Sequence, residues 1–160
     1  MKERFTYYSP IGPLCIETEE DLICSLLFCD KELMTENFNP KLQKLITEQL
    51  DDYFGGYLFE FDLPLKPSGT EFQKKVWSEL QNIPYAHLTS YGELAMLLGD
   101  KNLVRAVGGA NSKNPIAIII PCHRVVGANK KLVGYAGGLW RKKWLLQHEL
   151  TNKSDLSSLW

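Results

Sequence analysis

The chain has 160 residues, 44% of them hydrophobic and 23% charged, with a formal net charge of −1. That length allows one ordinary core or one small domain beside another, the composition is that of a soluble globular chain, and the near-zero total charge says nothing about an acidic partner. No run approaches the roughly 20 apolar residues of a membrane span, and the opening Met-Lys-Glu-Arg-Phe-Thr lacks the apolar stretch of a signal peptide, so the expected location is the cytoplasm.

Phe5 to Tyr8, Leu14 to Glu17 and Leu22 to Phe28 are short β-prone segments. They are separated by the turn residues Ser9-Pro10-Ile11-Gly12-Pro13 and Glu19-Glu20-Asp21, which predicts an antiparallel meander. Cys15, Cys24 and Cys29 fall in these apolar surroundings. Their irregular spacing indicates neither a zinc ribbon nor a disulfide framework, and they are expected in the core. From Lys41 to Phe54, Leu42, Leu45, Ile46, Gln49, Leu50 and Phe54 recur at helical spacing, with Gly55-Gly56 as the stop. Tyr57 to Leu63 alternates like a further strand. The prolines and glycine between Leu63 and Gly69 read as a linker, which places an N-terminal domain at 1–66 and a C-terminal domain at 67–150, with a tail at 151–160.

The C-terminal half opens with a predicted helix over Thr70 to Gln81, capped by Thr70 and lined by Phe72, Val76 and Leu80. Ser90-Tyr91-Gly92-Glu93 has the capping-box pattern and starts a short helix to Leu98. Gly99-Asp100 breaks it, and a second short helix follows from about Lys101 to Ala110. Two short helices joined by such a turn form a helix-turn-helix arrangement, whose second helix is the one that meets DNA. Its small residues Ala106, Gly108, Gly109 and Ala110 do not suit base reading in the major groove, which needs long polar side chains. They allow close approach to a minor groove instead, with Arg105 available for insertion into the duplex.

Lys101 to Lys143 contains nine basic residues and no acidic one, while the rest of the chain holds all nineteen acids. Such an island is the footprint of a surface that faces nucleic-acid phosphates, with Arg124 among its cations. In its middle, an apolar run expected to be a buried strand, Ile116 to Ile120, ends at Pro121-Cys122-His123-Arg124. A thiol beside an imidazole and a guanidinium is in a setting that can lower its pKa, and the thiolate is the reactive form.

Thr89-Ser90-Tyr91-Gly92-Glu93-Leu94-Ala95, Arg105-Ala106-Val107-Gly108-Gly109-Ala110, Asn114-Pro115, Pro121-Cys122-His123-Arg124-Val125-Val126, Gly134-Tyr135-Ala136-Gly137-Gly138 and Leu145-Leu146-Gln147-His148-Glu149 follow one another in that order. Together they resemble the O6-alkylguanine-DNA alkyltransferases, also called methylated-DNA–protein-cysteine methyltransferases. Ser-Pro-Ile-Gly-Pro-Leu at positions 9–14 resembles the start of bacterial members.

The resemblance implies an α/β (α+β) fold, a small antiparallel meander with a helix followed by a mainly helical domain with the helix-turn-helix. It implies transfer of an alkyl group from O6 of guanine, or O4 of thymine, in double-stranded DNA to Cys122, once per molecule, with no cofactor and no metal. The protein would act as a monomer and without a membrane. His123 would relay the thiol proton and Glu149 would polarise it. Asn114 would hold the active-site turn. Tyr91 would crowd the 3′ phosphate and protonate the leaving guanine. Arg105 would fill the stack, with Ala106 and Gly108 against the groove. Tyr135, Ala136, Gly137 and Val125 would line the base pocket. Ala136 and Ala117 stand where some members have serine and proline, which should alter tolerance for bulky alkyl groups. The rival readings are a non-catalytic lesion-binding module, which the cysteine at position 122 argues against, and a cysteine hydrolase, for which adjacent Cys122 and His123 are poorly placed.

Overall fold

The computed structural model describes residues 2–30 and 38–157. The chain divides after Ser68 into two compact units. In the first, strands β1 (Lys2–Ser9), β2 (Gly12–Glu19) and β3 (Leu22–Phe28) form an antiparallel sheet in sequence order, as the meander pattern predicts. The register pairs Phe5 with Ile16, Tyr7 with Leu14, and Ile16 with Leu26. These residues fall on one face because side chains alternate along a strand, and all are buried. Glu20 and Asp21 both take positive φ in the two-residue turn between β2 and β3, the backbone that a tight hairpin matched to strand twist requires. Helix α1 (Pro40–Phe54) buries Leu42, Ile46, Leu50 and Tyr53 and starts at Asn39, whose side chain accepts from the amides of Lys41 and Leu42. Tyr7 Oη donates to Asp51 of this helix at 2.6 Å.

Two expectations for this unit fail. Cys15 and Cys29 are not core thiols but a disulfide, and with Cys24 they are only half-buried. Leu14 and Ile16 point inward, so Cys15 between them points outward. The ladder then carries on past β3, with the Cys29 amide donating to Pro13 O at 3.0 Å, and this brings the two sulfurs together on the outer face. Spacing in sequence could not show this, because strand register makes the pair. Tyr57 to Leu63 is not a strand either. The Gln49 side chain takes the role of a neighbouring strand there, accepting from Asp62 N and donating to Asp62 O, both at 2.9 Å. Pairing resumes only as a single parallel bridge between Ile23 and Leu65.

In the second unit, α2 (Glu71–Leu80) begins with a complete Thr70–Gln73 capping box and buries Val76, Trp77 and Leu80. Strand β4 (Thr89–Ser90) leads into α3 (Tyr91–Leu97), whose Ser90–Glu93 capping box is also complete. Asp100 caps a single 3₁₀ turn over Lys101–Leu103, and α4 (Val104–Ser112) follows. The second helix of the pair therefore starts as 3₁₀ and ends two residues beyond the expected Ala110. Trp77 Nε1 donates to Ala110 O at 2.8 Å and ties α2 to α4.

The apolar run from Ile116 to Ile120 is not the strand that its composition predicts. Ile116 keeps a single bridge position, and the Asn114 side chain meets the backbone at both ends of the run. Its Oδ1 accepts from Ile116 N at 3.0 Å, and its Nδ2 donates to Ile120 O at 2.8 Å. The segment closes into a tight loop with Ile118 at a φ of 71°. Strand β5 (Val125–Val126) then pairs in parallel with β4. Helix α5 (Leu139–Ser157) runs through most of the segment read as a tail. No described helix is long and apolar enough to cross a membrane.

Candidate active site

Cys122, His123 and Arg124 form one 3₁₀ turn directly after the Asn114 loop, and all three are buried. Opposite them, Lys142, Leu145 and Glu149 occupy one stripe of α5 at i, i+3 and i+7, and each is fully buried. The Glu149 carboxylate accepts from His123 Nε2 at 2.6 Å, from Arg124 Nε at 2.9 Å and Nη2 at 3.1 Å, and from Ala86 N at 3.2 Å. Arg124 Nη1 donates to Ile83 O at 2.7 Å, and its guanidinium lies 5.6 Å from the centre of the Tyr85 ring. A buried ion pair endures when its remaining hydrogen-bonding capacity is met in this way.

Burial alone would raise the Glu149 pKa, but His123 and Arg124 outweigh it and hold the carboxyl far below its ordinary range. Glu149 is therefore an acceptor, and His123 Nε2 carries the proton of their bond. Burial pushes the His123 pKa down, so the ring is neutral, and its Nδ1 bears a free lone pair. That Nδ1 is buried without a hydrogen-bond partner among the described residues. The arrangement is a base whose far side is fixed by a carboxylate.

The cysteine differs from expectation. Burial raises the Cys122 pKa, against the smaller lowering effects of Asn114 and Lys142. The resting group is the neutral thiol, and a base is needed to form the nucleophile. Arg124 also differs. Expected on a DNA-facing surface, it is committed to Glu149 and Ile83 inside the unit, so it is not offered to a phosphate.

Around this centre, Tyr91 is half-buried at the start of α3. Its hydroxyl donates to Val133 O at 3.4 Å and accepts from Asn111 Nδ2 at 3.5 Å. Asn111 Nδ2 also reaches Cys122 O at 3.4 Å. The Tyr135 hydroxyl is buried without a partner among the described residues, Val125 is buried, Gly137 is half-buried, and Ala136 is exposed. Lys142 Nζ donates to Val133 O at 3.0 Å and Gly134 O at 3.2 Å, and Arg141 Nη1 donates to Gly137 O at 3.0 Å. Two α5 side chains thus hold the 133–137 strap. Burial brings the Lys142 pKa down to about 8.

On α4, Arg105, Ala106 and Gly109 are exposed and Gly108 is half-exposed, while Ala110 is buried rather than part of the outer face. A Cβ at Gly108 or Gly109 would meet nothing within 4 Å. The chain's own packing therefore does not require glycine at either position. Of the nine basic residues in the island, Arg124 and Lys142 are buried and the others are at least partly exposed. Asn111 and Lys142 were not singled out from the sequence. For Lys142 the signal was present, as its place in the stripe with Leu145 and Glu149.

Two family models match this chain: the 6-O-methylguanine DNA methyltransferase ribonuclease-like domain over residues 4–67, and the DNA-binding domain of the same name over residues 71–151. A methylated-DNA–protein-cysteine methyltransferase of Methanosarcina acetivorans is 45% identical over 148 residues, covering 89% of this chain and 95% of that protein. One from Mycolicibacterium paratuberculosis is 46% identical over 153 residues and covers 93% of each chain. The structure is similar to that of Mycobacterium tuberculosis O6-methylguanine methyltransferase, with a TM-score of 0.83, 41% identity, and coverage of 95% of this chain and 94% of that one. It is similar also to Mycobacterium tuberculosis OGT in complex with DNA, with a TM-score of 0.83, 43% identity and 92% of each chain covered. With both family models matched and relatives this similar over nearly their whole length, the chain belongs to the 6-O-methylguanine DNA methyltransferase family.

Proposed function

We propose that this protein repairs DNA by moving the alkyl group from O6 of guanine, or O4 of thymine, onto Cys122, irreversibly and once per molecule. The observation that carries the reading is the buried Cys122 turn joined to a neutral His123 whose far nitrogen is fixed by Glu149. The thiol proton goes to His123 Nδ1 through water. The sulfur lone pair forms the S–C bond as the C–O6 bond breaks, and that electron pair passes to the purine. The Tyr91 hydroxyl gives the purine its proton, which makes it a viable leaving group. Nothing is oxidised or reduced and the thiol is itself the acceptor, so the transfer requires no cofactor.

A base inside a stacked duplex cannot reach a buried thiol, so the lesion is flipped out. Arg105 fills the gap, and Ala106 and Gly108 let α4 lie close to the groove. Tyr135, Val125, Ala136 and Gly137 line the base pocket, and Asn114 holds the loop that presents Cys122. Exposed lysines supply affinity for phosphates regardless of sequence. Within this reading the 67–150 segment carries recognition and chemistry, and the protein works as a cytoplasmic monomer on DNA. The test is stoichiometry on a duplex carrying a tritiated O6-methyl group. Label should plateau at one per protein and restore guanine in the DNA, whereas continued turnover or released methanol would contradict the reading.

A further inference from the structure

Asn111 is buried at 5% exposure, on a helix where Arg105 and Ser112 are exposed. Its Nδ2 faces both the Cys122 carbonyl and the Tyr91 hydroxyl, and its Oδ1 is buried without a partner among the described residues. The Cys122 carbonyl has no proton to give, so only the N–H side of the amide can face it. A buried amide with an unmet acceptor is costly, and an apolar residue at this buried position, one turn after buried Val107, would not carry that cost. Stability therefore does not account for asparagine here.

We propose that Asn111 is a positioning residue that orients the Tyr91 hydroxyl toward the departing guanine and stabilises the phenolate left behind. This deepens the reading above and rests on Tyr91 as the proton donor. With one Nδ2 hydrogen on Cys122 O, the amide is anchored to the nucleophile's own turn. The other hydrogen enters the phenol oxygen and leaves the O–H proton on the opposite side, where it now meets Val133 O. When the C–O6 bond breaks, that proton moves to the purine. The resulting tyrosinate accepts from Asn111 until solvent returns a proton. The same contact lowers the Tyr91 pKa against the larger upward push of burial, which makes the phenol a better acid. Such bonds are often long in an empty site and shorten when substrate binds.

The test is a double-mutant cycle on the single-turnover transfer rate at saturating O6-methylguanine duplex, using Asn111→Leu, Tyr91→Phe and both together. Asn111→Leu should slow transfer about tenfold, the loss of one ordinary hydrogen bond. Tyr91→Phe should slow it about a hundredfold, and the double variant should be no slower than Tyr91→Phe alone. DNA affinity and the reaction of Cys122 with iodoacetamide should match wild type in Asn111→Leu, which a general loosening of the site would not allow. Losses that multiply in the double variant, an Asn111→Leu protein at the wild-type rate, or a loss confined to affinity would each overturn the proposal. A Tyr91→Phe protein at the wild-type rate would remove the Tyr91 assignment and the proposal with it. A slow Tyr91→Phe beside a fast Asn111→Leu would remove the proposal alone. Asn111→Ala, with thermal unfolding as the check on folding, answers the same question if the leucine variant does not fold.

Discussion

Replacing Arg124 by methionine separates a role inside the unit from a role against a phosphate. In the structure its guanidinium gives two hydrogen bonds to Glu149 and one to Ile83 O, at 2.7–3.1 Å. Methionine keeps much of the volume but leaves a fully buried carboxylate without its guanidinium, while His123 and the Ala86 amide still donate to it. Removing one partner of a buried, hydrogen-bonded pair costs about 3–5 kcal/mol. Against a domain stability of roughly 5–15 kcal/mol that is a large fraction. Urea unfolding should show the midpoint falling with the slope unchanged. A Glu149→Leu change added to Arg124→Met should recover part of the loss, because the orphaned charge is then gone.

Glu149 also sets a pH dependence, its carboxyl held down by His123 first and by Arg124 second. Glu149 has a depressed pKa in the folded state, so its contribution is complete above its ordinary value of 4.5 and is lost as pH falls below that. Arg124→Met should flatten this acid slope in part, because His123 still lowers the Glu149 pKa. If Arg124 instead contacted a phosphate, the variant would unfold like wild type. Its log–log salt slope for DNA binding would then shrink by about 0.9. That pair of results would refute the buried ion-pair account.

Three further outcomes are expected. Arg105→Ala should slow repair of duplex lesions while leaving reaction with free O6-benzylguanine unchanged, since only the duplex has a stack to fill; equal losses on both would contradict the role. Gly109→Ala adds a methyl to open space on a helix, so it should stabilise by about 0.5–1 kcal/mol and weaken DNA binding, as read by thermal unfolding and titration. Without reductant, the denatured protein should react with maleimide at two thiols, Cys24 and Cys122, and with reductant at four. Reduction should cost up to roughly 3 kcal/mol for a loop of this length.

Features decided by neighbours in sequence were legible in advance. The Thr70 cap and the Ser90–Glu93 capping box are announced by the residues, and the spacing from Leu42 to Phe54 fixes α1. The features that escaped depend on what a side chain does at a distance. Asn114 satisfies the backbone of the Ile116–Ile120 run, which turns an apparent strand into a loop. Gln49 does the same at Asp62. The Cys15–Cys29 bond follows from β2–β3 register. Arg124 reads as one more cation of a basic island until Glu149, 25 residues on, is seen to neutralise it inside the unit. Asn111 had no sequence signal beyond being polar near the end of a helix.

Repair by this protein rests on covalent transfer to Cys122. Intact mass after incubation with a duplex containing one O6-methylguanine tests it most directly, for wild type and Cys122→Ala. Wild type should show a single gain of about 14 Da, as methyl replaces the thiol hydrogen, and the alanine variant none. An unchanged mass in wild type with tight retention of the lesion would contradict it and leave a protein that only binds alkylated DNA.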